Sequence, residues 1–485
     1  MIGERRKTVV IVGGGITGLA AVRRLRQHSP DIAVFLIESD DRLGGKISTV
    51  REEGFVIEGG PDSFLSYKPR GLGLCRELGL ENRLYGTNRK VSRTYIMRGG
   101  RLYQLPEGLT GLIPSRFEPM LKTPLISPWG KARMGLEFLV PPRKEVDDES
   151  LEAFVSRRLG HEAYDRMIEP LMSGVYAGDG RQLSLDATFP NLRKAELEHG
   201  SLIKSMLATK AHPVRQNATQ NVKKWPAFLT LETGLAEIVE HVVADLQDVQ
   251  ITLKTRVKAI TANDGIDLPR YRVTGENGEE FMADAVILAT PAFITAQLVN
   301  QIDPEAAKAL TEIPYVSTAT VSVAYPLSQV PGSLDSNGYI IPRSEGRAVL
   351  ACTWTSTKFP HRAPQQYALL RAFLGRAGNE EVLERSDDEL IALVRDELRT
   401  VLGITAVPHL QTIFRWPKAM PQYTLGHLQR LKTIEHQFRK HEGLFYAGAA
   451  YQGIGIPDCI ASGEAAAEKT YAYCETLKAS EALHL

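Results

Sequence analysis

A glycine-rich turn between a strand and a helix is the feature that most constrains how this chain folds. The run Thr8–Val12 (TVVIV) is β-branched, which is typical of a buried parallel strand. The sequence GGGITG follows at 13–18 and leads into a helix-like segment. A second apolar run, Ala33–Ile37, ends at Glu38, 20 residues after Gly18. This order of elements predicts a dinucleotide-binding βαβ unit, whereas a glycine turn without a nucleotide would not need the acid at that distance.

Each glycine of this turn has a separate task in binding a dinucleotide. Gly13 permits the tight turn, and Gly15 lets the backbone approach the pyrophosphate. Gly18 lets the helix pack closely against the strand. The pyrophosphate is expected at the positive N-terminus of the helix, against Ile16 and Thr17.

The acid and a second glycine loop decide which dinucleotide is expected. Glu38 can accept hydrogen bonds from the adenosine ribose, and its charge disfavours the 2′-phosphate of NADP. Residues 41–46 (DRLGGK) then offer two adjacent glycines for a second anion contact and two basic side chains. The pattern R-x-G-G-K at 42–46 resembles an extension of FAD-dependent oxidases related to the amine oxidases, and an NAD dehydrogenase does not need this loop. The resemblance therefore implies FAD, with solvated surface charge as the alternative for the basic pair. The candidate FAD ligands in the loop are Arg42, Gly44, Gly45 and Lys46.

Composition excludes several classes of protein. The chain has 485 residues, of which 43% are hydrophobic and 24% charged, as in an ordinary globular protein. Its 58 basic and 57 acidic residues give a net charge of +1, so no nucleic-acid partner is expected. The four cysteines show neither C-x-x-C nor zinc-like spacing, which predicts reduced thiols in a cytoplasmic protein without a metal site. No segment is long and apolar enough to predict a transmembrane helix.

A second glycine-rich turn lies near the C-terminus. Residues 444–448 (LFYAG) predict the end of a strand, and a helix is expected from about Ile460, with Asp458 as its N-cap. Backbone N–H groups at the start of this helix would stabilise negative charge that develops on a flavin ring during reduction. The sequence therefore predicts one helix start for the pyrophosphate and another for the isoalloxazine. The candidate flavin ligands here are Gly448, Gly455, Ile456, Pro457 and Asp458.

Changes of pattern along the chain predict an α/β fold. Its parts are a discontinuous Rossmann-like FAD-binding domain, a mixed-sheet substrate domain and a helical cap that could also face a membrane. The expected FAD-binding parts are 1–90, 225–295 and 420–485, the expected cap is 91–224, and the expected substrate domain is 296–419.

Several segments resemble the oxygen-dependent protoporphyrinogen/coproporphyrinogen oxidases, a branch of the flavin amine-oxidase superfamily. The similarity runs from residue 8 to about 470 and is greatest to the soluble bacterial coproporphyrinogen III oxidases. Ala449 supports this branch, because generic FAD oxidases have an acidic residue there. The segments that carry the resemblance are 58–64 (EGGPDSF), 173–179 (SGVYAGD), 421–427 (PQYTLGH) and 451–459 (YQGIGIPDC).

The resemblance implies a flavoenzyme of haem biosynthesis. Such an enzyme removes six electrons from coproporphyrinogen III in three hydride transfers to the flavin, and O2 reoxidises the flavin to give H2O2. Protoporphyrinogen IX is the alternative substrate. Because the cofactor carries this chemistry, no catalytic triad is expected. By analogy, a ferrochelatase of the same pathway is an expected partner, and a peripheral membrane contact stays open. The alternatives are a flavin amine oxidase, a carotenoid desaturase, or a non-catalytic carrier of FAD or porphyrin.

The resemblance also implies where the substrate and the rest of the cofactor bind. A porphyrinogen needs an apolar slot with basic groups for its propionates, and Lys68 is the expected anchor, with an ordinary surface lysine as the alternative. Arg93 or Arg98 is expected to add a second anchor, and Gly174 and Tyr176 to border the flavin ring. His427 is expected to cap or pack a helix rather than act as a base. Further expected cofactor contacts are Gly60, Pro61, Asp62, Ser63, Val257 (through its backbone to adenine) and Trp416 (by stacking, with an ordinary buried tryptophan as the alternative).

Overall fold

The fold alternates between parallel strands, antiparallel strands and helices. The computed structural model describes residues 5–91, 93–106, 109–110, 113–114, 118–143, 147–211, 225–263 and 269–483. The strands in chain order are β1 (Thr8–Val12), β2 (Ala33–Ile37), β3 (Thr49–Glu52), β4 (Phe55–Glu58), β5 (Phe64–Leu65), β6 (Leu84–Gly86), β7 (Tyr95–Arg98), β8 (Arg101–Gln104), β9 (Leu109–Thr110), β10 (Ile113–Pro114), β11 (Phe228–Leu231), β12 (Val249–Thr252), β13 (Val257–Ala262), β14 (Tyr271–Gly275), β15 (Glu280–Ala283), β16 (Ala285–Leu288), β17 (Tyr315–Pro326), β18 (Gly338–Ile340), β19 (Val349–Trp354), β20 (Tyr367–Leu374), β21 (Leu410–Pro421) and β22 (Leu444–Tyr446).

Helices connect these strands and form most of the region between residues 118 and 211. They are α1 (Ile16–His28), α2 (Pro69–Glu77), α3 (Glu118–Lys122), α4 (Pro128–Gly135), α5 (Leu151–Leu159), α6 (His161–Ala163), α7 (Glu169–Tyr176), α8 (Leu185–Thr188), α9 (Pro190–His199), α10 (Leu202–Ala211), α11 (Ala236–Asp245), α12 (Ala292–Val299), α13 (Pro304–Thr311), α14 (Thr355–Lys358), α15 (Asp387–Leu402), α16 (His427–Phe438) and α17 (Ile456–Leu483).

A five-stranded parallel sheet in the order β12-β2-β1-β16-β22 forms the centre of the nucleotide-binding part. Strand β1 lies in the middle, with Val10 opposite Phe35 on one side and Val286 on the other. Val10 has no exposed surface, as expected for a strand covered on both faces. The strands come from three distant parts of the chain, so the expected N-terminal βαβ unit is local, and the sheet around it is completed by segments more than 200 residues away.

Two glycines bring α1 close to its neighbours. A Cβ added at Gly18 would lie 1.9 Å from the Gly13 carbonyl oxygen, so the helix packs directly against the turn after β1. A Cβ added at Gly463 would lie 2.1 Å from the Thr17 carbonyl oxygen, so α17 packs directly against α1. The two helices that begin at the predicted glycine turns therefore pack side by side.

A seven-stranded mixed sheet in the order β21-β17-β20-β19-β18-β7-β8 forms the second layered unit. Strand β17 pairs antiparallel with β20 and β21, whereas β18 pairs parallel with β7. Helix α15 covers this sheet with buried Leu390, Val394 and Leu398. Strands β7 and β8 belong to this sheet although they lie within the range 91–224 that the sequence assigns to the cap. The domain boundaries stay a prediction, and residues 212–224 at the end of that range lie outside the described residues.

The cap helices enclose their own core, which includes Leu151, Phe154 and Met167. A buried ion pair lies beside it, since Arg158 and Glu137 have no exposed side-chain surface and approach to 2.6 Å. Within the described part of the chain, no helix combines the length and apolarity needed to cross a bilayer. The four cysteines are buried free thiols, and no group of metal-ligating side chains occurs among the described residues.

Candidate active site

The first glycine turn opens onto the N-terminus of α1. Gly13 adopts φ +107°, and a Cβ there would lie 2.8 Å from the Ala289 carbonyl oxygen, so only glycine fits. Gly15 caps α1, and no described atom lies within 4 Å of the position that its Cβ would take. Open space therefore exists where the backbone N–H groups of Ile16 and Thr17 begin the helix, as binding of a pyrophosphate requires.

The predicted acid lies beside this turn with its carboxylate already oriented. Glu38 is 8% exposed, and its Oε2 accepts a hydrogen bond from the Gly14 backbone N–H at 2.6 Å. Its Oε1 accepts from the Ser39 hydroxyl at 3.0 Å and from the Asp40 N–H at 2.9 Å. A carboxylate can accept about four hydrogen bonds, so capacity remains for a ribose hydroxyl.

The second glycine loop is bonded to the first. The Gly44 N–H donates to the Gly14 carbonyl at 2.8 Å, and Gly44 adopts φ +102°. The Arg42 guanidinium donates to the carbonyls of Gly45 at 2.6 Å and Ile47 at 3.1 Å, so its contacts stabilise its own loop. A direct role of Arg42 at the pyrophosphate stays a prediction.

Lys46 lies between this loop and the start of α17. Its ammonium donates to the Ala419 carbonyl. The side chain keeps accessible surface, yet the protein packed around it removes enough water to lower the pKa of the ammonium, against the opposing influence of Cys459. The loop therefore delivers a basic group to the first turn of the C-terminal helix.

Helix α17 begins at Ile456, four residues before the predicted start at Ile460. Pro457 does not prevent this, because a proline in the first turn removes only an N–H that has no helical partner. Asp458 is consequently a first-turn residue and not the N-cap that the sequence predicts. Its Oδ2 accepts from the Gly455 N–H at 3.2 Å, which is how an acid in the first turn stabilises the residue before a helix.

Gly448 and Gly455 flank the turn that leads into this helix. Gly448 adopts φ +132°, and the nearest described atom to its added Cβ is the Thr17 Oγ1 at 3.9 Å. The turn after β22 therefore faces the start of α1. The structure brings the two predicted helix starts to one side of the parallel sheet.

Lys68 and Asp458 form an ion pair. The Lys68 ammonium lies 2.6 Å from Asp458 Oδ2, and the two side chains are 35% and 18% exposed. The predicted propionate anchor thus lies at the start of α17, and a substrate carboxylate bound to Lys68 would share it with Asp458.

Tyr176 and Gly174 lie on α7 at the edge of the same region. Tyr176 is 8% exposed, and burial together with the nearby charge of Asp458 raises its pKa to about 12, so its phenol stays neutral. No described atom lies within 4 Å of a Cβ added at Gly174. Tyr176 therefore lies within electrostatic range of Asp458, the partner of Lys68.

Arg93 and Arg98 bond to other groups in this structure. Arg93 pairs with Asp335 at 2.9 Å, and both side chains are largely exposed. Arg98 donates to the backbone carbonyls of Pro124 and Leu125. Their proposed contacts with propionates stay predictions.

The segment Gly59 to Ser63 is held by the mixed sheet. The Gly59 carbonyl accepts from Trp416 Nε1 at 2.8 Å, from the Thr320 hydroxyl at 3.1 Å and from Arg371 Nη2 at 3.0 Å. Arg371 also donates to the Gly60 carbonyl. Trp416, which the sequence suggests as a stacking residue, thus anchors this segment through its indole N–H, and its stacking stays a prediction.

Asp62 is ionised within a partly buried charge cluster. Its carboxylate lies 2.7 Å from the Lys358 ammonium and accepts from the Ser63 hydroxyl at 2.6 Å. Burial would raise the pKa of Asp62, but Lys358 and Arg371 lower it more, so that it lies well below the usual range. Sequence reasoning missed both cations. The only signal for Arg371 is a lone charge inside the apolar run YALLRAFL of β20.

Val257 follows a segment that bonds to Glu38. The Thr255 N–H donates to the Glu38 carbonyl at 2.9 Å, and Val257 begins β13 two residues later. This places Val257 near Glu38, and its contact with adenine stays a prediction. The predicted contact of Pro61, between Gly60 and Asp62, with the cofactor likewise stays a prediction.

Comparison with known proteins decides what kind of cofactor this arrangement holds. The family model for flavin containing amine oxidoreductase matches residues 16–470. The chain belongs to this family. Its cofactor is FAD, as predicted from the two glycine loops, and it is a flavin-dependent oxidoreductase.

Individual relatives of the family match nearly the full length of the chain. Coproporphyrinogen III oxidase of Bacillus subtilis is 37% identical over 97% of this chain and 99% of its own. The Staphylococcus aureus enzyme of the same name is 34% identical over 96% and 99% of the two chains. Human protoporphyrinogen oxidase is 31% identical over 95% and 98%. The resemblance inferred from the motifs is confirmed.

Solved structures of other proteins confirm the predicted α/β fold. A structure assigned as a protoporphyrinogen oxidase from Exiguobacterium sp. 255-15 has a TM-score of 0.84 and 34% identity, and covers 98% of this chain and 100% of its own. Putrescine oxidase, with a TM-score of 0.68 and 17% identity, covers 96% and 99%. The latter likeness shows the fold alone.

Proposed function

We propose that this protein is an oxygen-dependent coproporphyrinogen III oxidase that forms coproporphyrin III and reduces O2 to H2O2 in haem biosynthesis. The observation that carries the proposal is the 37% identity over 97% of the chain to a coproporphyrinogen III oxidase. Two further bacterial relatives of that name, each 34% identical, support it.

Different residues of the site are suited to different parts of the cofactor. Bound FAD supplies the two-electron acceptor. The open space at Gly15 and the start of α1 would receive the pyrophosphate, and Glu38 would accept a hydrogen bond from the ribose. The first turn of α17 would provide backbone N–H groups that stabilise negative charge on the flavin ring.

The substrate is a large apolar macrocycle with propionate groups, and it needs a cation at the rim of its site. Lys68 meets this need because its ammonium is partly exposed at the start of α17. Coproporphyrinogen has four propionates and protoporphyrinogen has two, so coproporphyrinogen needs more cations in its binding site. Relatives named protoporphyrinogen oxidase are 30–32% identical, which keeps protoporphyrinogen IX as the second candidate.

One assay tests the proposal. Purified holoenzyme is mixed with each porphyrinogen in air, and porphyrin fluorescence and H2O2 are followed against a protein-free autoxidation control. We expect faster oxidation of coproporphyrinogen III than of protoporphyrinogen IX. A yellow protein that accelerates neither reaction would overturn the proposal in favour of a carrier or another amine-oxidase activity.

We also propose a peripheral contact with a bilayer through α4 and the turn after it. Trp129 is 86% exposed and Leu139 64% exposed, with Leu136 and Phe138 close to half exposed in the same short segment. Exposed apolar side chains at this density mark interaction surfaces, and tryptophan suits the membrane interface. A cytoplasmic location and a ferrochelatase partner stay predictions from the resemblance.

Flotation with anionic vesicles tests the contact. The wild-type protein should float with the vesicles, and a Trp129→Ser/Leu139→Ser variant should float less. A Val407→Ser variant is the matched control, because Val407 is 71% exposed on a different part of the fold. Equal flotation of all three proteins would contradict the membrane contact.

A further inference from the structure

Tyr423 lies behind the turn that leads into α17. Its side chain is 2% exposed, and its hydroxyl donates to the Ala449 carbonyl at 2.7 Å. The same hydroxyl accepts from the Gly453 N–H at 2.7 Å. One phenol hydroxyl is therefore hydrogen-bonded to the backbone at two points of the turn between β22 and α17.

The imidazole of His427 packs against the ring of Tyr423. The two rings stack with centroids 4.2 Å apart and an interplanar angle of 13°. The imidazole Nε2 lies 3.2 Å from the Tyr451 carbonyl, which can only accept, so Nε2 carries the proton. Burial lowers the pKa of His427 to about 4, and the ring is therefore neutral at physiological pH. The hydrogen bond from the imidazole to the Tyr451 carbonyl is a third side-chain contact with the backbone of the same turn.

The other side of this segment is bonded to the cap. The Gln422 amide donates to the Tyr176 carbonyl at 2.9 Å, and the Ser184 N–H donates to the Tyr423 carbonyl at 2.8 Å. The residues 421–427 thus connect the cap, at the end of α7, with the turn before α17.

We propose that Tyr423 is a positioning residue, which uses its hydroxyl and the stacked His427 to hold the turn before α17 against the flavin ring. It touches neither the substrate nor the reacting atoms and acts through the backbone of Ala449 and Gly453. The inference rests on the proposed function only in placing the flavin ring at the start of α17. It does not depend on which porphyrinogen is oxidised.

The variant Tyr423→Phe tests this role, because it keeps the ring and its stacking and removes only the hydroxyl. We expect the dissociation constant of FAD, measured by reconstituting apoprotein, to rise about tenfold, which is about 1.4 kcal/mol. We also expect a shifted reduction potential and altered fine structure of the visible flavin band. Tyr271→Phe is the matched control, since Tyr271 is 1% exposed and its hydroxyl donates to the Glu442 carbonyl at 2.6 Å, away from the turn.

If Tyr423 had a purely structural role, both variants would have a lower melting temperature. The dissociation constant of FAD, the reduction potential and the visible flavin spectrum of Tyr423→Phe would then equal those of the wild type. That result would overturn the proposal. If Tyr423→Phe does not fold, His427→Phe keeps the stacking and loses the bond to Tyr451, and an unchanged flavin spectrum in that variant overturns the proposal instead. All these measurements are made without porphyrinogen, so they hold even if the chain proves to oxidise another substrate.

Discussion

Gly15 is the residue whose missing side chain matters most for the cofactor. Gly15→Val should abolish FAD retention, because the branched side chain would fill the space at the start of α1. The apoprotein should fold as the wild type does, since no described atom lies within 4 Å of the added Cβ. The ratio of flavin to protein absorbance measures the effect.

Gly135→Val is the control for this substitution. Gly135 also has no described atom within 4 Å of its added Cβ, but it ends α4 in the cap. It should retain FAD fully. A Gly15→Val protein that purifies with a full complement of FAD would show that the pyrophosphate binds elsewhere.

The pair of Lys68 and Asp458 predicts a specific pattern of substrate affinity. Lys68→Ala should raise the KM for coproporphyrinogen III about tenfold with FAD still bound, because one cation is lost and the unpaired Asp458 then repels a propionate. The double variant Lys68→Ala/Asp458→Asn should recover part of this loss. Steady-state kinetics with a flavin spectrum of each variant provide the measurement. Loss of FAD from Lys68→Ala would instead make Lys68 a structural residue.

At the scale of elements, the two helix starts differ in how they are stabilised. Helix α1 begins at a glycine with no side-chain cap, and its first N–H groups stay available to an anion. Helix α17 has Asp458 in its first turn, and that carboxylate is balanced by Lys68. The first start therefore suits a phosphate group, and the second suits a ring whose charge changes during the reaction.

Helix α15 differs from α1 and α17, because its first turn contributes to stability and has no expected contact with the cofactor. Ser386 accepts from the Glu389 N–H at 3.3 Å, and Glu389 accepts from the Ser386 N–H at 2.8 Å, which is a complete capping box. Ser386→Ala should destabilise this helix by about 1 kcal/mol. Hydrogen exchange should accelerate in the first turn of α15, while FAD content and oxidase rate stay unchanged. Ser386→Asp, which can still cap, should behave as the wild type, and equal exchange in all three proteins would contradict the role of the cap.

At the scale of the whole molecule, the seven-stranded mixed sheet holds part of the predicted cofactor site. The carbonyl of Gly59 accepts from three side chains on β17, β20 and β21. Asp62, four residues after β4, pairs with Lys358 on α14. The segment 59–63 is therefore a junction between the mixed sheet and the stretch after the second glycine loop, where the Gly59 N–H donates to the Ser48 carbonyl at 2.7 Å.

This junction predicts a pH dependence of stability. The pKa of Asp62 lies below its unfolded value, so its pairing stabilises the fold fully above about pH 4 and loses that effect as the pH falls further. The melting temperature of Asp62→Asn should therefore lie furthest below the wild type at neutral pH, and the difference should shrink below about pH 4. Melting curves from pH 7 to 3 measure it. A difference that stays constant over this range would place the stabilisation outside the Asp62 carboxylate.

The sequence by itself determined the cofactor, the family and the parts of the site that lie within short segments. The glycine turn at Gly13 to Gly18, the acid Glu38 and the second loop at Gly44 are local, because each needs only a few neighbouring residues with unusual backbone freedom or charge. Patterns of this kind can be read without knowing which distant segments meet. The sequence predicts the start of α17 four residues late, at Ile460, whereas the helix begins at Ile456 because a first turn accepts Pro457.

Only the tertiary structure decided which distant groups meet. Nothing in the sequence links Lys68 to Asp458, Arg371 to the Gly59 carbonyl, or the Tyr423 hydroxyl to the turn before α17. These contacts join residues that are separated by 26 to 390 positions, and they form because sheets and helices from separate parts of the chain pack together. Hydrogen bonds and ion pairs act over about 3 Å, so their partners depend on packing that no local pattern records.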